Sequence, residues 1–275
     1  MGQVIAIRVV SARAAVLAGR VHTPSALERE PFVSRREPIF NVPGVVLGLL
    51  AAFFAVYLLR WVLPTEQNAW LTDVLAFIPA RMDGFVADLP GGRIAAVTSF
   101  VTYQFVHGDL THLLINSAWL LAFSTPVARR TDPARFLAFF LMAGIAGAVA
   151  FLAVKGSIPI RVVGASGAIS GLMGAAFRFM FRSIEDGGPL GLANSGSTPL
   201  MSLPETLSDR RILMAIAGWS LLNVLLALWG GPMLTDADGI AWEAHLGGFY
   251  AGLLLYGFFD RPPPPTQDDD VALAE

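Results

Sequence analysis

Cysteine is absent from the 275 residues, which excludes disulfides, a thiolate nucleophile, iron–sulfur clusters and thiolate zinc sites. Charged residues are scarce, at 15% of the chain where soluble domains have roughly 25%. An excess of positive charge is also missing, because the net charge is −2 and no basic surface would follow a phosphate backbone. We therefore expect no nucleic-acid partner, and no motif indicates a metal or another cofactor.

Apolar residues, by contrast, are in large excess. They make up 55% of the sequence, and the 27 glycines bring the share to about 65%, against roughly 45 to 50% for soluble domains counted in the same way. The few charges cluster between long uncharged stretches. This pattern predicts an integral membrane protein whose partner is the lipid bilayer.

Six uncharged runs divide the chain into predicted membrane spans. Several are shorter than the roughly 20 residues that cross a bilayer, and a short span ends below the membrane surface, which suits a water-filled cavity. The runs are Val42 to Leu59, Leu113 to Ala128, Phe136 to Val154, Ala165 to Phe177, Ile212 to Trp229 and Ala244 to Phe259. The sequence therefore predicts an all-α, polytopic membrane protein with six transmembrane helices between residues 42 and 260.

The distribution of arginine predicts the orientation, because the cytoplasmic ends of spans carry an excess of Lys and Arg. With the N-terminus inside, the inner segments hold 14 of the 19 basic residues and the outer segments hold five. The outer residues are Arg60, Arg81, Arg93, Lys155 and Arg161. An even number of spans then places both termini in the cytoplasm.

Composition also predicts the segments outside the spans. Residues 1–41 lack the continuous apolar stretch of a secretory signal, so we expect a cytoplasmic segment that stays on the mature protein. Residues 64–110 form an outer loop, part of which has helically spaced apolar residues and suits the membrane interface. Residues 183–209 contain a Gly-, Ser- and Pro-rich cytoplasmic linker, and residues 261–275 form an acidic cytoplasmic tail.

Polar side chains gather at one end of three alternate spans. In this topology the second, fourth and sixth spans begin on the outer side, and their first turns hold His112 and Asn116, Ser166, and His245. Polar groups inside a membrane are costly, and they commonly mark a site. These three spans therefore predict a site that opens to the outer side.

Ser166 is the candidate nucleophile, although a serine at a helix start is more often an N-cap. Small residues on the fourth and sixth spans favour close helix packing, which brings His245 toward Ser166. A neutral imidazole can take the proton that a serine hydroxyl must lose before it attacks. The alternative is a hydrogen-bonded histidine within a glycine-packed core. The glycines assigned to packing are Gly164, Gly167, Gly171, Gly248 and Gly252.

His112 and Asn116 are four residues apart and so share one helical face. The Asn116 amide can donate to an oxygen that becomes negative in a tetrahedral intermediate, and so can the Ser166 N–H at a helix N-terminus. The alternative is that His112 and Asn116 only hold helices together. Asn223 in the fifth span is interpreted as such a helix contact, and Glu243 as a solvated residue at the start of the sixth span.

Three motifs resemble those of the rhomboid intramembrane serine proteases. Gly164-Ala165-Ser166-Gly167 is similar to the family's GxSG motif, and Ala244 to Gly252 is similar to its AHxxGxxxG motif. His112 to Asn116 resembles the family's HxxxN motif. The motifs occur in the family's order over about Val42 to Phe259, so the resemblance implies a six-transmembrane-helix rhomboid-like bundle.

The resemblance implies hydrolysis of peptide bonds in or near the transmembrane helices of membrane-protein substrates. Ser166 is similar to the family nucleophile and His245 to its general base and acid. His112, Asn116 and the Ser166 N–H correspond to the oxyanion site, and no acidic third member is expected. Many family members place an aromatic residue one turn after the nucleophile, where it supports the histidine ring. Here that residue is Ser170, so the group that orients His245 is not predicted.

The alternative function is that of a catalytically inactive rhomboid-like protein that binds transmembrane clients, which would need the fold but not Ser166 and His245. A channel or transporter would need charged residues (Asp, Glu, Lys or Arg) inside the spans or half-helix repeats, and the sequence shows neither. A bacterial inner membrane suits six helices without an added span, and an organelle membrane is the alternative because Met1 to His22 has the composition of a transit peptide. The segment Gly230 to Trp242 resembles the flexible cap over the family's active site.

Overall fold

The computed structural model describes residues 42–83, 89–187, 195–196, 198–229 and 241–261. Its α-helices within those ranges are α1 Gly44–Val62, α2 Thr65–Leu75, α3 Gly92–Thr102, α4 Leu110–Ala128, α5 Pro133–Lys155, α6 Ser166–Phe177, α7 Met180–Gly187, α8 Leu203–Ser208, α9 Arg210–Trp229 and α10 Trp242–Leu255. The β-type pairing in these residues is an isolated bridge between Phe77 and Val162. The prediction of an all-helical chain is therefore confirmed for the described ranges.

Several predicted segments lie wholly or partly outside the described residues. They are the N-terminal segment 1–41, residues 84–88 of the outer loop, residues 188–194 and 197 of the linker, residues 230–240 of the cap-like segment, and the tail 262–275. The part of the linker that is described contains helix α8, which the Gly-, Ser- and Pro-rich composition did not indicate. A capping box explains this helix, since the Ser202 hydroxyl accepts from the Glu205 N–H while the Glu205 carboxylate accepts from the Ser202 N–H.

Each of the six uncharged runs overlaps one helix, namely α1, α4, α5, α6, α9 or α10. Among the described residues, α1, α4 and α5 are long and apolar enough to cross a membrane, and α6 is an apolar helix of 12 residues. Large apolar side chains on α1 and α9 point outward, and Trp61 and Met214 are each 75% exposed. Outward-facing apolar surface of this kind suits contact with lipid.

Aspartate caps determine where α4 and α5 begin. Asp109 accepts a hydrogen bond from the His112 N–H at 2.8 Å, and Asp132 accepts one from the Arg135 N–H at 3.0 Å. Pro133 follows Asp132 at the first position of α5, where its fixed φ suits a helix start. Both helices begin three residues before the uncharged runs, because the cap rather than hydropathy sets the first turn.

Helix α6 is the centre of the bundle. Every residue of α6 after Ser166 is buried, and the helix packs against α10, α5 and α4. Its many glycines and alanines make this possible, because small side chains let neighbouring helix backbones approach closely. The predicted site residues lie in the first two turns of α4, α6 and α10, and α6, which carries Ser166, packs against both of the other helices.

A buried ion pair joins the C-terminal ends of α4 and α10. The Nε and Nη2 atoms of Arg130 donate to the two carboxylate oxygens of Asp260, each at 2.7 Å. Arg130 Nη1 also donates to the carbonyls of Ser195 and Thr198, and the guanidinium lies 4.5 Å from the centre of the Phe179 ring. The side chains of Arg130 and Asp260 are 0% and 7% exposed, so water screens their attraction little.

Replacing Asp260 with asparagine is expected to lower the free energy of unfolding by about 3 kcal/mol, because Arg130 then keeps its buried charge without a counter-charge. The measurement is a titration of detergent micelles with SDS, followed by the loss of helical signal. Glu185→Gln is the matched control, since Glu185 pairs with Arg211 where both side chains are about half exposed. An exposed pair contributes about 0–1 kcal/mol, so equal losses in the two variants would contradict the structural role of Asp260.

Candidate active site

Ser166 is the first residue of α6, and the turn before it is shaped by Gly164. Gly164 has a φ of +112°, which residues with a Cβ rarely adopt, and a Cβ there would lie 2.6 Å from His112 Nε2. Gly164 lies in this turn rather than in a helix, and its close contact is with the His112 ring of α4. The N-cap of α6 is Ala165, and no side chain caps the helix. The Ser166 hydroxyl is therefore not used as a helix cap.

The Ser166 hydroxyl and the His245 imidazole are in direct contact. His245 Nε2 lies 2.8 Å from Ser166 Oγ, although the two residues are 79 positions apart in the chain. They belong to the first turns of α6 and α10, and both are only partly buried. A proton can pass directly between these two atoms, which is the geometry that activates a serine for nucleophilic attack.

Backbone contact between α6 and α10 brings the two side chains together. A Cβ added at Gly248 would overlap the carbonyl of Gly167, and one added at Gly252 would overlap the carbonyl of Gly171. Glycine at these positions lets the two helices approach until their backbones touch. His245 lies one turn before Gly248 and on the same face of α10, so this contact sets the distance from the imidazole to Ser166.

His112 and Asn116 lie on α4 beside the turn that precedes Ser166. Asn116 is 3% exposed, and its Nδ2 donates to the His112 carbonyl at 3.0 Å. The His112 ring packs against Gly164. Within the described residues the hydrogen bonds of Ser166 Oγ and His245 do not involve either side chain. One N–H of the Asn116 amide is thus not used by the His112 carbonyl.

His107 stands behind His112, at the end of the outer loop. It is fully buried, and its ring centre lies 5.3 Å from that of His112 and 5.0 Å from that of Phe53. Its carbonyl accepts a hydrogen bond from Arg60 Nη1 at 2.6 Å. Burial, with a smaller contribution from the neighbouring His112, lowers the pKa of His107 to about 3. His107 is therefore uncharged at neutral pH and packs the loop against α1 and α4.

Helix α9 adds two contacts to His245 that the sequence did not reveal. Asn223 Oδ1 lies 2.8 Å from His245 Nδ1, and the centre of the Trp219 ring lies 6.5 Å from that of the imidazole. Asn223 does join two helices, as interpreted from the sequence, but its partner is the histidine of the candidate site. Trp219 and Asn223 are four residues apart and share one face of α9, a spacing that indicates a common neighbour without identifying it.

Glu243 differs from its interpretation as a solvated residue. It is 2% exposed, and its carboxylate lies 3.1 Å from Lys155 Nζ at the C-terminal end of α5. The interpretation was wrong because burial at the start of α10 depends on how α5 ends beside it, which a local pattern does not report. The ion pair fastens the start of α10, and with it the turn that carries His245, to α5.

The groups at this site are those that an acyl-transfer reaction requires. The site combines a serine hydroxyl, an imidazole at hydrogen-bond distance and an amide donor on a neighbouring helix, which are the groups that nucleophilic catalysis at a carbonyl requires. No group of three or more His, Asp or Glu side chains in the described part of the chain is arranged to hold a metal ion.

Two comparisons with known proteins identify the same family. Residues 95–262 match the Rhomboid domain family, and this stretch contains all four candidate site residues. The chain is 39% identical over 224 residues to the Rhomboid protease GluP of Bacillus subtilis (strain 168). The match covers 81% of this chain and 34% of that relative, so the chain spans about a third of the relative's length.

Proposed function

The chain belongs to the rhomboid family, and from that premise we propose that it is an intramembrane serine protease that hydrolyses peptide bonds in or near the transmembrane helices of membrane-protein substrates. The family and the apolar helices make the chain an integral membrane protein. The observation that carries the proposal is the 2.8 Å contact between His245 Nε2 and Ser166 Oγ. A catalytically inactive protein that only binds transmembrane clients has no need of this contact.

The proposed membrane topology assigns the six spans to α1, α4, α5, α6, α9 and α10. The excess of arginine on one side supports a cytoplasmic N-terminus, and with an even number of spans the C-terminus is on the same side. The first turns of α4, α6 and α10 then face the outer side, and the site opens in that direction. A bacterial inner membrane is the proposed location.

In the proposed reaction, His245 Nε2 takes the proton from Ser166 as Oγ attacks the scissile carbonyl carbon. The carbonyl π bond becomes a lone pair on the oxygen of a tetrahedral intermediate. His245 then gives its proton to the departing amine, the C–N bond breaks, and an ester to Ser166 remains. His245 next takes a proton from a water molecule as the water oxygen attacks the ester carbonyl carbon. It then returns the proton to Ser166 Oγ as the bond from Oγ to that carbon breaks, so the carboxylic acid product leaves and the free serine is restored.

The negative oxygen of the intermediate needs hydrogen-bond donors that are already in place. The Ser166 N–H lies at the N-terminus of α6, where helix N–H groups lack intrahelical partners and the helix dipole favours negative charge. Asn116 is buried, and the bond from its amide to the His112 carbonyl fixes which way its N–H groups point. We assign the oxyanion site to the Ser166 N–H, Asn116 and His112.

Replacing Asn116 with alanine is expected to lower the turnover number by about 10-fold to 1000-fold, as removal of one oxyanion donor does elsewhere. The measurement is the initial rate of cleavage of a transmembrane substrate in proteoliposomes. Ser117→Ala is the matched control, because Ser117 is also buried on α4 and donates only to a carbonyl of its own helix. Full activity of the Asn116 variant would remove Asn116 from the mechanism.

The proposed function itself is tested with the purified protein in two assays. A fluorophosphonate probe should label the protein, and mass spectrometry should locate the adduct on Ser166 and on no other serine. Proteoliposomes should cut a single-span substrate in or near its membrane segment. A folded protein that co-purifies with the uncut substrate and takes up no probe would support the inactive client-binding alternative instead.

A further inference from the structure

We propose that Asn223 is a positioning residue of this site, which holds His245 in the tautomer and the orientation that receive the Ser166 proton. The inference rests on the proposed function and adds a third group, on a third helix, to the Ser–His pair. Its basis is a chain of hydrogen bonds that runs from the α9 backbone through Asn223 and His245 to Ser166.

The backbone of α9 fixes the direction of the Asn223 amide. Asn223 Nδ2 lies 2.9 Å from the carbonyl oxygen of Trp219, which can only accept a hydrogen bond. The NH2 group must therefore face Trp219, and the amide oxygen must face His245. An inverted amide would place two acceptor oxygens against each other, so this orientation follows from the contact itself.

The amide oxygen in turn determines the tautomer of the imidazole. Asn223 Oδ1 lies 2.8 Å from His245 Nδ1 and can only accept, so Nδ1 carries the hydrogen. A neutral imidazole has one N–H, which leaves a lone pair on Nε2. That lone pair faces Ser166 Oγ at 2.8 Å, where a general base must have it. The opposite tautomer would turn an N–H toward the serine and would leave two acceptors in contact at Asn223.

Burial strengthens the hydrogen bond between Asn223 and His245. Asn223 is 1% exposed, so water does not compete for its amide, and an unpaired amide oxygen there would be costly. The Trp219 ring, at an angle of 31° to the imidazole, adds a flat wall on the same face of α9. Helix α6 offers no equivalent support, because the hydroxyl of Ser170 donates to the Ser166 carbonyl at 2.7 Å. The described groups that orient His245 therefore come from α9.

A purely structural role for Asn223 makes a different prediction. The same two helices share a second polar contact, in which Ser220 Oγ and Tyr250 Oη lie 2.8 Å apart, and this contact does not touch His245. If Asn223 only holds α9 against α10, its loss and the loss of the Ser220 hydroxyl should have similar consequences. Ser220→Ala is thus the matched control.

The experiment measures the wild-type protein, Asn223→Ala, Asn223→Asp and Ser220→Ala in proteoliposomes. We expect Asn223→Ala to lower kcat by about 10-fold to 100-fold with little change in KM, because substrate contacts remain while the base is misoriented. Asn223→Asp should recover much of the rate, since a carboxyl oxygen can still accept from Nδ1–H. Ser220→Ala should keep kcat within about twofold of the wild type. An Asn223→Ala variant that changes no more than Ser220→Ala would overturn the proposal.

A second readout does not depend on activity. The ¹⁵N chemical shifts of His245 in the folded protein report which ring nitrogen carries the hydrogen, with Ser166→Ala as the background that removes turnover. We expect the hydrogen on Nδ1 when Asn223 is present and a mixture of tautomers in Asn223→Ala. If the wild-type protein cleaves nothing, the proposed protease function fails, and the tautomer measurement still decides whether Asn223 positions His245. The hydrogen on Nε2 with Asn223 present would overturn the inference.

Discussion

Replacing Ser166 with alanine is expected to lower the rate of substrate cleavage by about 10⁴- to 10⁶-fold, because the variant has no hydroxyl to attack the scissile carbonyl. Replacing His245 with alanine is expected to cost nearly as much, since His245 is the base in contact with Ser166 Oγ. The double variant should be no slower than either single variant, because the hydroxyl and its base act as one unit. Initial rates for one transmembrane substrate in proteoliposomes provide the measurement.

Folding should survive both substitutions, which separates chemistry from stability. The Ser166 side chain does not cap α6, so alanine removes no helix-capping hydrogen bond. Ser170→Ala is the matched control, because this serine is buried one turn later and donates only to the Ser166 carbonyl. The control should keep its activity within about 10-fold, the effect of one lost hydrogen bond. Cleavage by Ser166→Ala or His245→Ala at the rate of the control would rule out the proposed mechanism.

The sequence could predict which candidate residues lie at the same end of the molecule. This prediction needs only the positions of the uncharged runs and their order along the chain. Uncharged runs predicted six apolar spans, and the order of these spans along the chain predicted which of them run in the same direction. Ser166, His245, His112 and Asn116 were assigned to one end on these grounds, and in the structure they lie in the first two turns of α4, α6 and α10. Glycines spaced by four on two helices then indicated which pair would touch.

The contacts that orient those residues could not be predicted from the sequence, because they depend on the rotation of each helix about its own axis. Asn223 sits in an apolar run with nothing to show which neighbour it faces, and only the packing of α9 on α10 brings its amide to the imidazole. Arg130 and Asp260 are 130 residues apart, each just beyond the end of an uncharged run, yet they form a buried pair. Local patterns report periodicity and charge, whereas these contacts require the positions of distant helices.

The glycine contact between α6 and α10 should tolerate no side chain. Replacing Gly248 with valine is expected to destabilise the fold by about 5 kcal/mol or more, since a Cβ there overlaps the Gly167 carbonyl, and backbone cannot move aside as a rotamer does. The measurement is the free energy of unfolding in micelles titrated with SDS. Gly48→Val is the matched control. Gly48 lies within α1, and a Cβ there meets nothing within 4 Å, so the expected change stays below about 1 kcal/mol.

The variant Gly248→Ala distinguishes a loss of the fold from a loss of the active-site geometry. A single methyl group still overlaps the Gly167 carbonyl, so α10 must shift away from α6 even in molecules that remain folded. His245 is one turn away on the same face, and a misplacement of about 1 Å costs on the order of 100-fold in rate. We therefore expect the folded fraction of Gly248→Ala to cleave about 100-fold more slowly than the wild type, whereas Gly48→Ala keeps its rate. If Gly248→Ala folded and cleaved like the wild type, the close approach of these backbones would not be what brings the imidazole to Ser166.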